Sequence, residues 1–341
     1  MWRSLVSGLL LAPLYWLPAV PAAAQIQPLP SWNEGAARQR ILQFVAAVTT
    51  PGGPDYVAPV ERIAVFDNDG TLWAEQPMYV QLAFAIDRAR TLVSQQPELA
   101  AHPVLAAAAA ARHGEAMPSM GIPELLELVA LTHAGMDAEA FRELVGNWFA
   151  SACHPTWKRS YRSLTYQPMR ELLDYLRSHG FQTYIVSAGG VEFVRVVSEE
   201  LYGIPPEQVI GSFVASRYAL QDGLPTIVRQ AEVQLINDGA IKPVMIEQVI
   251  GRQPIAAFGN SDGDFEMLEW TTSQPGASLG LIVHHDDPER EVAYDSPSSI
   301  GRLDRALKEA PRRGWMVVSM RDDWARVFAD HPARPLEAEC P

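Results

Sequence analysis

At 341 residues the chain is long enough to bury a substantial core in one large or two medium domains, and an apolar fraction of 48% excludes global disorder. Its formal charge of −13 argues against nonspecific binding to nucleic acid or to an anionic membrane, both of which reward an excess of Lys and Arg. The two cysteines, Cys153 and Cys340, sit in no C-x-x-C or other metal-ligand spacing. An oxidising compartment permits a disulfide between them, and unpaired thiols are an equal alternative, because sequence does not supply their separation.

Residues 1–24 carry Arg3, an apolar stretch from Leu5 to Val20 broken by Pro13 and Pro18, and Ala22-Ala23-Ala24 before Gln25. This is the form of a cleavable secretory signal, and the stretch is short for a bilayer. No later stretch is long and apolar enough to span one. The expectation is export across an inner membrane, most simply to a bacterial periplasm, with no stable membrane insertion after cleavage. Ser31-Trp32-Asn33-Glu34 then has the S-x-x-E form of a capping box, and Ile41, Leu42, Val45 and Val48 follow at helical spacing. Together they predict a helix over 33–48.

Ile63 to Phe66 form a short apolar run suited to a strand buried on both faces. It stops at two carboxylates, Asp67 and Asp69, with Gly70 and Thr71 directly after. In an open parallel sheet ligands bind beyond the carboxyl ends of the strands, so both acids would be within reach of a substrate. Two carboxylates this close repel unless a cation or a proton relieves them, which implies a bound metal or a shared acid/base task. From Trp73 to about Thr165 the pattern is helical, with segments at 78–93, 104–112, 123–132 and 138–150 and no convincing strand.

A helix over 169–179 leads to a strand over 183–186 that ends at Ser187-Ala188-Gly189-Gly190. A small hydroxyl at a strand end, followed by glycines and another helix, suits phosphate binding by Ser187 and by the backbone of Ala188 and Gly189. A helix over 191–202 and a strand over 209–214 follow, and 217–239 is irregular enough to form a hairpin, with Asn237-Asp238-Gly239 a strong turn signal. Lys242 stands at the entry to the next helix. A strand over 254–258 then ends at Gly259-Asn260-Ser261-Asp262-Gly263-Asp264, so a second strand delivers acids to the same side of the sheet. After a strand over 279–283, His284-His285-Asp286-Asp287 is read as a solvated or substrate-side loop, since adjacent strand residues face opposite ways and do not easily chelate one ion. A helix over 301–310, a strand over 315–320 and a helix over 322–328 close the chain.

The run Asp67-Asn68-Asp69-Gly70-Thr71-Leu72 after an apolar strand resembles the first motif of the haloacid dehalogenase superfamily of phosphohydrolases. Ser187, Lys242 and Asn260 to Asp264 fall in the order of its second, third and fourth motifs, with one departure: Asn260 stands where the fourth motif has its first acid. The resemblance implies a Rossmann-like parallel sheet with helices on both faces and an inserted all-helical cap of the phosphoserine phosphatase-like kind. Residues 25–72 and 166–330 would form the core, 73–165 the cap and 331–341 a flexible tail. It also implies an Mg2+-dependent phosphatase acting on small phosphomonoesters through an aspartyl-phosphate intermediate. In that reading Asp67 is the nucleophile and Asp69 the general acid and base. Thr71 and Ser187 hold the phosphoryl group, and Lys242 offsets charge. The metal is bound by Asp67, the carbonyl of Asp69, and Asn260 or Asp264, with Asp262 a further candidate. Asparagine gives Mg2+ a neutral oxygen, so a lost carboxylate there should weaken binding unless a neighbour compensates. The competing expectation is an exported binding protein that keeps the fold without turnover, and Asn260 is its support. The expected partner is a small phosphorylated molecule and not nucleic acid; the leaving group and the oligomeric state are left open by the sequence.

Overall fold

A computed structural model describes residues 27–111 and 120–329. The signal sequence expected over 1–24, the tail over 331–341 and Cys340 lie outside the described residues. In chain order the elements are α1 (Ala36–Thr49), β1 (Ile63–Phe66), α2 (Val80–Gln95), α3 (Pro103–Ala110), α4 (Ile122–His133) and α5 (Ala138–Ser151). They continue with α6 (Gln167–Ser178), β2 (Gln182–Gly190), α7 (Val191–Tyr202), β3 (Val209–Gln221), β4 (Leu224–Leu235) and α8 (Ile241–Ile250). The last are β5 (Ala256–Gly259), α9 (Phe265–Thr272), β6 (Leu279–His284), α10 (Arg305–Arg313), β7 (Met316–Ser319) and α11 (Met320–Asp323).

The seven strands form one sheet in the order β4-β3-β2-β1-β5-β6-β7. All neighbours are parallel except β3 and β4, which form an antiparallel hairpin. From the central β1 the chain builds outward to β4 on one side, then returns to lay β5, β6 and β7 on the other. The reversal opens a crevice at the carboxyl ends of β1, β2 and β5, where ligands of such sheets bind. Every residue of β1 and β5 is buried. Ala64 and Phe66 face a large core shared with α1, α2, α6 and α7, while Ile63 and Val65 face a second core with α8, α9 and α10. Strand alternation thus splits one apolar run between two faces, and helices cover both. The Phe66 and Phe258 rings stack at 4.2 Å across β1 and β5, directly below the acids.

Between β1 and β2 all regular structure among the described residues is helical, as the sequence predicts. Three expectations differ, and the hairpin expected within 217–239 is present. The helix expected over 33–48 begins at Ala36, and Ser31 does not cap it: its amide and hydroxyl both donate to the Glu171 carboxylate on α6, at 2.8 and 2.6 Å. The irregular region is a long hairpin closed by Asp222 and Gly223, both with positive φ (51° and 82°), a two-residue turn matched to strand twist. Its outer half is exposed on both sides, so it carries no core alternation, and it reaches the helical module, where the Gly135 and Arg229 amides donate to the Arg229 and Met136 carbonyls. The helix expected from Gly301 starts at Arg305 because the remote Asp262 carboxylate accepts the Asp304, Arg305 and Ala306 amides. The closing helix stops at Asp323, after which the chain extends to bury Trp324 edge-on against Trp32.

Truncating the stacked pair tests the floor of the crevice. Phe66→Ala should lower the unfolding free energy in urea by about 3–5 kcal/mol, the cost typical of a large aromatic removed from a close-packed core.

Candidate active site

Asp67 continues β1 by one residue, its amide donating to the Phe258 carbonyl at 2.9 Å. Its side chain, buried at the crevice floor, meets Lys242 Nζ at 2.7 Å, and the same ammonium reaches Asp264 Oδ1 at 2.6 Å. Lys242 is therefore no solvated surface lysine but a buried cation between two carboxylates. Burial pulls its pKa down, yet the charges of Asp264 and Asp67 outweigh it and hold the group protonated. The other Asp264 oxygen accepts the Asn260 and Ser261 amides at 3.0 and 3.1 Å, which fixes the turn after β5. Burial raises the pKa of Asp67, as does the nearby Asp264 charge, while Lys242 opposes both.

The turn after Asp67 is built around Gly70, whose φ of 72° suits glycine. A Cβ there would lie 2.1 Å from Asn260 Nδ2 and 2.4 Å from Glu75 Oε1. Its carbonyl accepts from His285 Nε2 at 2.7 Å, and His285 Nδ1 pairs with Glu291 at 3.1 Å. The solvated-loop reading of the histidine pair is thus corrected for His285, which is buried and stacked 4.4 Å from the Tyr294 ring. Asp69 turns back so that Oδ1 accepts the Trp73 indole N–H at 2.9 Å. Burial raises its pKa, with the Trp73 hydrogen bond opposing, and so favours a proton on Asp69.

Ser187 lies at the end of β2, its hydroxyl accepting the Gly189 amide at 2.9 Å. A Cβ on Gly189 would stand 3.1 Å from that hydroxyl and 3.4 Å from Asp69 Oδ2, so glycine keeps the space between serine and acid open. Thr71 does not face the cavity: its hydroxyl donates to Asn260 Oδ1 at 3.0 Å and positions that amide. Asp262, capping α10, is a support for the loop. A cavity of about 420 Å3 joins these parts, lined by Asp67, Asp69, Ala188, Gly189 and Lys242 on the sheet side. The apolar wall opposite is Leu82 of α2 with Leu125, Leu126 and Val129 of α4.

Sequence reasoning missed Glu75, Gln81 and His133. Glu75 lines the cavity and accepts from Asn260 Nδ2 at 2.8 Å and from the Tyr294 hydroxyl at 2.7 Å. Its only signal was a carboxylate a few residues past the first motif. Gln81 accepts the Gly190 amide at 2.7 Å and meets His133 Nε2 at 3.0 Å, so α2 and α4 both brace the loop after β2.

Among the described residues no three His, Cys, Asp or Glu side chains converge as a ready-made chelate. The candidate donors are a mixed set of hard oxygens: the Asp67 carboxylate and the Asp69 carbonyl, whose residues line the cavity, and the buried Asn260 amide behind them, whose Oδ1 also accepts from Thr71. That chemistry fits Mg2+ better than a soft transition metal. Five acids, Asp67, Asp69, Glu75, Asp238 and Asp262, line the cavity against two cations, Lys242 and Arg302, and Lys242 is shared with the buried Asp264. A divalent ion would relieve the excess.

Two acids at the end of the central strand, a lysine-held carboxylate and a glycine-bounded space beside a serine define a hydrolase of the α/β class. A family model for haloacid dehalogenase-like hydrolases matches residues 64–269, and the chain belongs to that family. Among solved structures, a conserved protein of unknown function from Anaerococcus prevotii DSM 20548 is 16% identical, with a TM-score of 0.52 over 83% of this chain and 91% of that one, and shares the fold. A protein of unknown function from Bordetella pertussis Tohama I has 17% identity and a TM-score of 0.45, covering 76% of this chain and 98% of that one. A probable phosphoserine phosphatase from Vibrio cholerae has 15% identity and a TM-score of 0.36, covering 68% and 58%. No curated protein matches the sequence.

His133 provides a pH test of the brace. Burial, aided by the Arg229 charge, lowers its pKa from 6.5 to about 3, so it is neutral in the folded protein while the unfolded chain takes up a proton near 6.5. Stability should therefore fall as pH drops below about 6.5 towards 3, and His133→Gln should flatten that slope in urea titrations at stepped pH.

Proposed function

We propose that this hydrolase is an exported, Mg2+-dependent phosphatase acting on small phosphomonoesters through an aspartyl-phosphate, an acyl phosphate formed on Asp67. The observation that carries the proposal is the buried Lys242 ammonium holding one Asp67 oxygen at 2.7 Å, with a second acid, Asp69, in the same cavity. A pure binding site has no need of an acid beside a fixed nucleophile. Export rests on the signal-like sequence of residues 1–24; among the described residues no helix is long and apolar enough to cross a membrane.

In this reading a substrate phosphoryl group lies between Asp67 and the Ser187 to Gly189 turn. An Asp67 oxygen forms a bond to phosphorus as the ester P–O bond breaks, and the leaving oxygen takes the electron pair and the Asp69 proton. Water then attacks phosphorus, Asp69 takes its proton, and the Asp67 O–P bond breaks. Lys242 orients the nucleophile and opposes charge on the transferring oxygens, and Ser187 holds one of those oxygens. Mg2+, held by Asp67, the Asp69 carbonyl and Asn260, would screen the phosphate dianion from the carboxylate. The apolar wall from α2 and α4 would exclude water and contact the leaving group.

Asn260 favours one second reading, a binding protein without turnover. Both are decided by hydrolysis of an aryl phosphate with Mg2+, with chelator, and with two variants. The phosphatase should lose turnover with chelator and with Asp67→Asn, and should slow by about 100- to 10,000-fold with Asp69→Asn. A binder would give no metal-dependent release, and Asp67→Asn would still retain phosphorylated ligands.

A further inference from the structure

Glu75 is almost wholly buried, yet no cation bonds to it; its hydrogen bonds come from the Asn260 amide and the Tyr294 hydroxyl. Two glycines with positive φ make room for it. A Cβ on Gly70 would come within 2.4 Å of Glu75 Oε1, and one on Gly301 within 1.9 Å. A carboxylate desolvated this fully, in a close-fitting space and without a positive partner, is costly as an anion, and burial raises its pKa, unless a cation or a proton relieves it. It opens on the same cavity as Asp67 and Asp69, whereas the nearest buried ammonium, Lys242, is already shared by Asp67 and Asp264.

Asn260 is the link. Its Nδ2 donates to Glu75 and its Oδ1 accepts from Thr71, so the amide is held from both ends with its oxygen pointed away from the glutamate. Hydrogen bonding of an amide N–H to a carboxylate draws electron density onto the amide oxygen. Such outer partners tune a ligand's basicity in many metal sites.

We infer that Glu75 is the missing acid of the divalent-cation site: it supplies, through the Asn260 amide, the negative charge that an aspartate at position 260 would have supplied directly. This rests on the divalent-cation reading given above and adds to it a positioning residue and a charge carrier eight positions after the nucleophile. It explains how a neutral ligand coexists with an otherwise complete set of acids. The swap moves the charge from the cation's immediate surroundings to one hydrogen bond away.

The test is Mn2+ binding to the full chain without substrate, read from the electron paramagnetic resonance signal of free Mn2+. Glu75→Gln keeps the size of the side chain and should weaken Mn2+ binding by about 10- to 100-fold, the range seen when such outer partners are removed. Tyr294→Phe, which removes a hydrogen bond to the same oxygen without removing charge, should change binding by less than about 3-fold if charge is what matters. The double variant Glu75→Gln/Asn260→Asp should regain near-native affinity, an outcome that a merely structural role for Glu75 does not produce. Native affinity in Glu75→Gln, or failure of the double variant to recover, would overturn the inference while leaving metal-dependent hydrolysis by the native protein intact. Absence of Mn2+ binding and of hydrolysis in the native protein would overturn both readings together.

Discussion

The site depends on one buried ammonium. Lys242 stands between Asp67 and Asp264 with a hydrogen bond to each, and it is the charge that opposes the burial and the Asp264 repulsion acting on Asp67. Removing the lysine would leave two buried anions facing each other, the arrangement in which breaking an ion pair costs far more than the pair contributes when whole. The triad also joins elements distant in sequence. Asp67 ends β1, Lys242 opens α8 and Asp264 closes the turn after β5, so the loops at the crevice hold their relative positions through a single charge.

The sheet makes that convergence possible. β1 lies between β2 and β5, and because all three run parallel, their carboxyl ends deliver Asp67, Ser187 and Asn260 to one edge. The helices inserted after β1 add what the sheet lacks, an apolar wall and the Gln81 and His133 brace beneath the Ser187 turn. Residues that hold the chemistry and residues that shape the cavity therefore come from different parts of the chain.

That division sets what was legible in the sequence. The sheet core was readable because β1, β5 and β6 are buried on both faces and show as unbroken apolar runs ending at polar turns. Asp67, Asp69 and Ser187 were readable because each lies at or near a strand end, where local pattern and chemistry coincide, and Lys242, at the start of α8, only through its place in the motif order. The β3–β4 arm was not, since its outer half packs on neither core face and leaves only the Asp222-Gly223 turn as a sign. Glu75 and the Glu291–His285–Gly70 tie were hidden for another reason: their partners lie up to 219 residues away, and periodicity carries no information on such pairs. The Ser31 capping pattern misled because a tertiary acceptor, Glu171, took the hydroxyl that a local helix end would have used.

The turn after β5 is the place where counting acids misrepresents electrostatics. Of Asn260, Asp262 and Asp264, the first is neutral, the second has both oxygens committed to the amides that begin α10, and the third is neutralised by Lys242. The acids of that segment are thus committed within the protein, Asp262 to the start of α10 and Asp264 to Lys242 and its own turn. The loop after β1 differs in kind: within nine consecutive residues, Asp67 to Glu75, it presents three acids to the cavity, so one loop faces a ligand while the other uses its acids to hold neighbouring elements in place.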